Sequence, residues 1–469
     1  MRSVVAWASA LVVALGAAAF FFALATNNFT LIKNGYHPDR IVEIHGITVL
    51  GYRGTQRTWN IKAAYAWSGY DKSTGHFENL YDGVLYEDNR IVMDRLKAKQ
   101  GKGDSSRDWL ETEGGVEADI YLYKENKVRH LKIHSDKLFY NSNVHKTIVQ
   151  DHVLLQYDNT LIQTDYAEIN HDNNTVYVTQ GFNMTDADKK IRANWMEANL
   201  DNETAIIKDE VSMVIHPRRS QENRATTLDC EFMVFNLNEA KGQRVQFERK
   251  VKFIQNDHEV FANGGTYNDG SGELNLNNRV ELVLVDTGTL IRCDELNAQI
   301  DTPDQRLQDA SFHGNIDIQE HDKTVKALAG HFDSKADGIQ LDGNVRMTVH
   351  QFRNLLRKES ADRIQNHEVE TMLSKPALLE ADAMYLDRRS QNAYATGDVH
   401  VVQKEQQARA DIARYIEDDD IIYLDENVTL LKENGEWIQA DRVLAHLQEE
   451  SFEALGKVET EFILKDRQR

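Results

Sequence analysis

Leu379-Glu380-Ala381-Asp382, Ala408-Arg409-Ala410-Asp411 and Ile438-Gln439-Ala440-Asp441 are three versions of one short phrase. Their aspartates stand 29 and 30 residues apart. Seventeen residues after each aspartate comes a valine, within Gly397-Asp398-Val399, Glu426-Asn427-Val428 and Gly456-Lys457-Val458. The same interval links Asp136 to Val153, Asp165 to Phe182, Asn194 to Val211, Asn263 to Val280 and Leu328 to Val345. With five residues added, it links Asp94 to Val116, Asp229 to Val251 and Asp294 to Ile316. Eleven units therefore run between about residues 92 and 464, with a more irregular one before them at 59–84. A fixed period of this size marks a repeat architecture.

One unit reads as two strands and a polar turn. In 407–432, Ala408, Ala410 and Ile412 alternate with Arg409, Asp411 and Ala413, which gives one apolar and one wet face. The acidic turn Glu417-Asp418-Asp419-Asp420 follows, then a strand through Val428 and Leu430. Other turns, at 170–174, 268–272 and 333–338, are rich in Asp, Asn and Gly, which is tight-turn chemistry. The Gly-Asn/Asp-Val step is expected to start each second strand, where glycine tolerates a left-handed backbone. One strand pair cannot bury its apolar face, but a stack of pairs can. The 4 prolines in 469 residues fit this reading, because proline lacks the N–H that a ladder needs. The fold class expected is all-β, with stacked antiparallel strands.

Lys plus Arg number 54 and Asp plus Glu 75, a formal net charge of −21. That balance repels nucleic acid and anionic surfaces, and Pro217-Arg218-Arg219 is the nearest approach to a basic run. From Val4 to Ala25 the chain carries 22 residues without a charge, enough to cross a hydrocarbon core of about 30 Å as a helix. Arg2 before it favours a cytoplasmic N-terminus. A cleaved signal peptide ending at Ala23-Leu24-Ala25 is the competing reading. The run exceeds the roughly 7–15 residues of a signal h-region, which favours a retained transmembrane helix. Either way the remainder is exported. Residues 1–25 read as anchor, 26–216 as one β-domain and 217–469 as a second, with 352–376 inserted where one interval stretches to 54 residues. Leu355, Leu356, Ile364 and Val369 in that insertion have loosely helical spacing and read as a covering loop or short helix, with partner docking as the sharper alternative.

Cys230 follows Asp229 and Cys293 precedes Asp294, so the two have the same parity and belong to units two apart. Stacked rungs would hold them about 9.6 Å apart, beyond the roughly 7 Å limit for a bridge, so two free thiols are expected. No Gly-x-Ser-x-Gly elbow, His-Glu-x-x-His helix, phosphate loop or Cys-x-x-Cys pair is present in the sequence. His130 and His134 fall in an alternating segment, where four residues span about 13 Å, too far for a shared metal. The repeated aspartates read as solvent-facing register markers. Neither an enzyme, a metal site nor a cofactor is expected.

Thr58-Trp59-Asn60-Ile61-Lys62-Ala63 after the apolar N-terminus, and the run from Leu161-Ile162-Gln163-Thr164-Asp165 through Asn173-Asn174-Thr175-Val176 to Gly181-Phe182, resemble LptC. The later units, with Ala410-Asp411 leading to Asn427-Val428 and Ala440-Asp441 to Gly456-Lys457-Val458, resemble LptA and its OstA-like domain. The resemblance covers nearly the whole exported chain. It implies a V-shaped β-jellyroll whose apolar groove shelters the lipid A acyl chains of lipopolysaccharide between inner and outer membranes. It also implies a periplasmic location behind an inner-membrane anchor. The partners implied are an ABC-type Lpt transporter in the inner membrane and an LptA-like or outer-membrane Lpt component joined by end-to-end strand addition. The chain is about twice as long as a simple member of either family, and reads as an LptC-like part joined to an LptA-like part.

Long acyl chains need a continuous apolar trough, which aligned inward residues supply. The lining candidates are Val153 and Leu155, Val211 and Met213, Val280 and Leu282, Ile316 and Ile318, Val345 and Met347, Val399 and Val401, and Val428 and Leu430. The same residues packing together as an ordinary filled core is the competing reading, which would make the chain a structural solenoid. A carrier for another envelope lipid is a third. The last unit, near Phe462-Ile463-Leu464, is the expected docking edge.

Overall fold

A computed structural model describes residues 40–462, apart from 218–224, 238–243, 351–373, 447–450 and gaps of one to three residues. The apolar run at Val4–Ala25, residues 352–373 of the insertion and Ile463-Leu464 lie outside the described residues. Among the described residues no helix is long and apolar enough to cross a membrane. Those residues form 28 strands, from β1 (Val42–Arg53) to β28 (Glu459–Glu461). The chain divides into two compact units, Met1–Val211 and Ser212–Arg469.

Within each unit successive strands pair antiparallel. In the first, β6 (Lys127–Asn141), β7 (Lys146–Tyr157) and β8 (Thr160–Asn170) are typical. In the second, β23 (Ala393–Gln403), β24 (Gln406–Ile416), β25 (Ile421–Lys432) and β26 (Trp437–His446) continue the pattern. Burial alternates along each strand as the apolar pattern requires. In β7, Thr147, Val149, Val153 and Leu155 are buried and the intervening residues face outward.

The Gly-Asn/Asp-Val step does not begin a strand; it bends one. In β25, Glu426 and Asn427 have φ of 65° and 52°. The ladder with β24 skips from Asp425 to Thr429 on one side and from Arg409 to Ile412 on the other. Three residues of β25 and two of β24 thus leave the ladder together, and the sheet creases. Left-handed pairs of this kind precede Val116, Val153, Val211, Val251, Val280, Ile316, Val345, Val399 and Val428. Glycine serves where the turn is tightest. Gly397 has φ of 79°, and a Cβ there would stand 2.4 Å from Asp382 Oδ2. The crease folds each ladder into two leaves with an apolar space between them.

The 17-residue rule has its cause at this crease. Asn427 Nδ2 donates to Asp411 Oδ2 at 2.6 Å. The Lys457 N–H donates to Asp441 Oδ2 at 3.1 Å, and Asp136 Oδ2 lies 2.7 Å from His152 Nδ1. The longer unit keeps the contact, with Asn315 Nδ2 donating to Asp294 Oδ2 at 2.7 Å. The recurring aspartates are therefore more than register markers, because they hold the left-handed residues of the following strand.

In the first unit the two rims of the folded ladder meet. At the end of β1 Arg53 donates to Asp108 (2.9 Å, from Nε) and to Asn143 Oδ1 (2.7 Å), both on turns of the opposite rim. At the next turn Glu87 accepts from the Tyr140 hydroxyl at 2.6 Å and lies 3.0 Å from His145 Nδ1. Further along, Asn174 Nδ2 donates to the Tyr123 carbonyl at 3.0 Å, and Arg129 pairs with Glu203. These contacts form a polar seam. In the second unit, turn contacts such as Gln299 to the Ser271 carbonyl (2.5 Å) and Gln403 to the Lys375 carbonyl (3.2 Å) join neighbours on one rim.

Cys230 and Cys293 are free and buried. They lie on β14 (Thr226–Asn236) and β18 (Thr289–Asp301), four strands apart in the ladder rather than two rungs. That separation is about 19 Å, which strengthens the geometric argument against a bridge.

Candidate apolar groove

The interior of the second unit opens toward the C-terminal strands. Across β23 to β26, Val401 pairs with Ala408, Ala408 with Leu430, and Leu430 with Ile438. These four positions share one leaf. On the other leaf Leu424 pairs with Ala413 and with Val443. Phe452 from β27 (Ser451–Leu455) and Phe462 after β28 complete a groove of about 520 Å³ between the leaves. Gln403, Gln406, Lys432, Glu436 and Ser451 stand among its lining residues, so the wall carries both apolar and polar groups. Val443 and Leu424 form its buried floor, and the two phenylalanines at its mouth are open to solvent. Phe452 is 56% exposed and Phe462 60%.

A second apolar cavity, of about 110 Å³, lies between the leaves nearer the start of this unit. Phe253, Leu282, Ile291, Phe312 and Ile339 line it, with Thr226, Gln255 and His258 as polar members. Between the two spaces the interior is filled. Leu341 and Val345 are fully buried, and Val399 is 1% exposed.

The fourteen lining candidates therefore divide by place. Val153, Leu155, Val211, Met213, Val280, Ile316, Ile318, Val345, Val399 and Val428 are buried at the crease or just beyond it. Leu282 and Met347 are at the edge of burial, with Leu282 on the smaller cavity. Val401 and Leu430 are half-buried and line the open groove together. Leu424, Val443, Ile438 and Phe452 were not among the positions predicted. The signal for Leu424 lay in the alternation before the crease, where Ile422 and Leu424 precede Val428 and Leu430 in the same two-residue phase.

Beside the groove, on the outer face, Asp425 pairs with both Arg414 and Arg442 and so ties β24, β25 and β26 together. Burial pushes the Asp425 carboxyl up, but the bonds from Arg442 and Arg414 outweigh it and hold it below the usual aspartate range. Arg414 also lies over the Tyr423 ring at 5.1 Å. In the first unit Asp119 plays the same part, paired with Arg95 and with His130 Nε2 at 2.9 Å. His134 lies 3.6 Å from Glu117 on that outer face. Among the described residues no group of three His, Cys, Asp or Glu side chains is placed to hold a metal ion.

The class defined by this geometry is an all-β protein of creased antiparallel ladders, with an apolar interior open at the C-terminal end of its second unit. Residues 126–223 match the family model described as OstA-like protein. No curated protein sequence matches the chain. Among solved structures, LptH, the LptA homologous periplasmic component of the conserved lipopolysaccharide transport device from Pseudomonas aeruginosa, matches 29% of this chain and 75% of its own. The identity is 9% and the TM-score 0.17, so that likeness carries no further argument.

Proposed function

We propose that this protein is a periplasmic, non-catalytic lipid carrier of the lipopolysaccharide-export type, holding acyl chains between the leaves of its second unit. The observation that carries this reading is the groove lined by Val401, Leu430, Leu424, Ile438 and Phe452. The OstA-like match at residues 126–223 lies mostly in the first unit; it supports the lipopolysaccharide-export type for the chain as a whole, while the groove itself belongs to the second unit. Burial of an acyl chain yields about 0.8 kcal/mol per methylene, so a twelve-carbon chain would gain roughly 8–10 kcal/mol before losses in chain freedom. No single side chain supplies more than a small share of that. The anchor at Val4–Ala25, the inner-membrane transporter and end-to-end addition of an LptA-like or outer-membrane component belong to the same reading.

The test is site-specific photocrosslinking in cells. A photoreactive residue at Leu430, on the inward face, is expected to capture lipopolysaccharide. The same residue at Thr429, on the outward face, is expected to capture none. Equal capture at both positions, or none at Leu430 in a folded protein, would contradict the reading. Capture of phospholipid alone at Leu430 would favour a carrier of another envelope lipid.

A further inference from the structure

We infer that the first unit is a sealed roll that takes no lipid, so that cargo is confined to the second unit. This rests on the lipid-carrier reading above, and the two fail in different ways.

The first observation is the seam. A ladder folded at its crease into two leaves admits a long apolar chain only where its rims stand apart. In the first unit they are joined at successive turns, by Arg53 to Asp108 and Asn143, by Glu87 to Tyr140 and His145, and by Arg129 to Glu203. The acidic partners are poorly exposed, with side-chain accessibility of 9% for Asp108, 13% for Glu87 and 18% for Glu203. Parting the rims would leave these groups without their partners, a cost that falls on every passage of a lipid.

The second observation is packing. Large side chains exposed by 1% or less run through the first unit and into the second, through Met213, Leu228, Met233 and Phe247 as far as Leu341, and beyond Leu341 no Leu, Ile, Met, Phe or Tyr among the described residues is so deeply buried. Leu110, Leu138 and Leu155 are exposed by 1% or less. At native packing density such a core has no room for an acyl chain unless the leaves separate. In the second unit the same register positions loosen toward the C-terminus, until Val401 and Leu430 line an open groove. The two units are built from one repeat but serve different purposes, the first as a closed support and the second as the receptacle.

The full-length protein in its membrane would be incubated with lipid A carrying a diazirine on one acyl chain, then irradiated, digested and mapped by mass spectrometry. The expected result is labelling of peptides within 393–446, with at least tenfold less on peptides containing Leu110, Leu138 or Leu155. Comparable labelling of inward residues in both units would overturn the inference while leaving the lipid reading intact. Labelling in neither unit would overturn the lipid reading itself and the inference with it.

Discussion

Asp411 accepts a hydrogen bond from Asn427, sixteen residues later, at 2.6 Å across the crease between β24 and β25. That contact explains why the spacing in the repeat is kept. The aspartate must end one strand's first half where the next strand turns left-handed. Asp411→Ala is expected to lower stability by about 0.5–1 kcal/mol, below the roughly 1.5–3 kcal/mol of a buried bond to a charged group because solvent screens this one. A urea unfolding midpoint that did not move would contradict this role.

Gly397 tests the same crease from the other side. Gly397→Ala puts a Cβ where φ is 79° and Asp382 Oδ2 is 2.4 Å away. The left-handed backbone alone costs about 1–2 kcal/mol, and the clash adds to it. Combining it with Asp382→Ala should recover the steric part and leave the backbone part. Thermal unfolding of the two single variants and the double variant separates them.

His145 of the seam and His171, whose ring lies edge-on to that of Tyr140 at 6.1 Å, are expected to respond to pH with opposite signs. The bond to Glu87 raises the His145 pKa, so its contribution is complete below about 6.5 and is lost as pH rises through the raised value. Burial lowers the His171 pKa, so the folded state holds that ring neutral and loses stability as pH falls below about 6.5. On acidification from pH 8 to pH 5, the melting temperature of His145→Gln should fall more than wild type, and that of His171→Gln less. Parallel curves for all three proteins would sink this account of the seam.

The two cysteines should be inert in the native protein. Burial pushes the Cys230 and Cys293 thiols up to about 12, and the thiolate is the reactive form. Maleimide at pH 7.5 is expected to label neither until denaturant is added. Rapid stoichiometric labelling of the folded protein would show that these core positions open.

Asp425 offers an acid test near the groove. Its carboxyl is held low by Arg442 and Arg414 against the opposing effect of burial, so its stabilisation is present above about pH 3.9 and fades as pH falls through the depressed value. Asp425→Asn should cost about 1–2 kcal/mol at pH 7, since both guanidiniums are partly solvated. Chemical denaturation at pH 7 and pH 3 should show that difference shrinking with acid.

Much of the fold was legible because the repeat carries its own geometry. The interval from Asp411 to Val428 is a contact plus one residue, and it recurs wherever the crease recurs. The place of the crease was misread because Gly, Asn and Asp signal a positive φ without saying whether a turn or a mid-strand bend uses it. The seam was not legible at all. Arg53 meets residues 55 and 90 positions away, and no local pattern marks such partners. The division between filled core and open groove was equally hidden, since Val345 and Val428 sit in the same phrase while their neighbours Met347 and Leu430 differ in exposure.

The measurement that bears most directly on the central claim is identification of the lipid that stays with the protein. Full-length protein would be extracted gently from its own envelope and analysed by native mass spectrometry, beside a Leu430→Glu, Val401→Glu double variant. The account predicts lipopolysaccharide bound to the wild type and at least a tenfold loss in a double variant that remains folded. A wild type that carries no lipid, or a variant that retains it in full, would contradict the assignment of the groove.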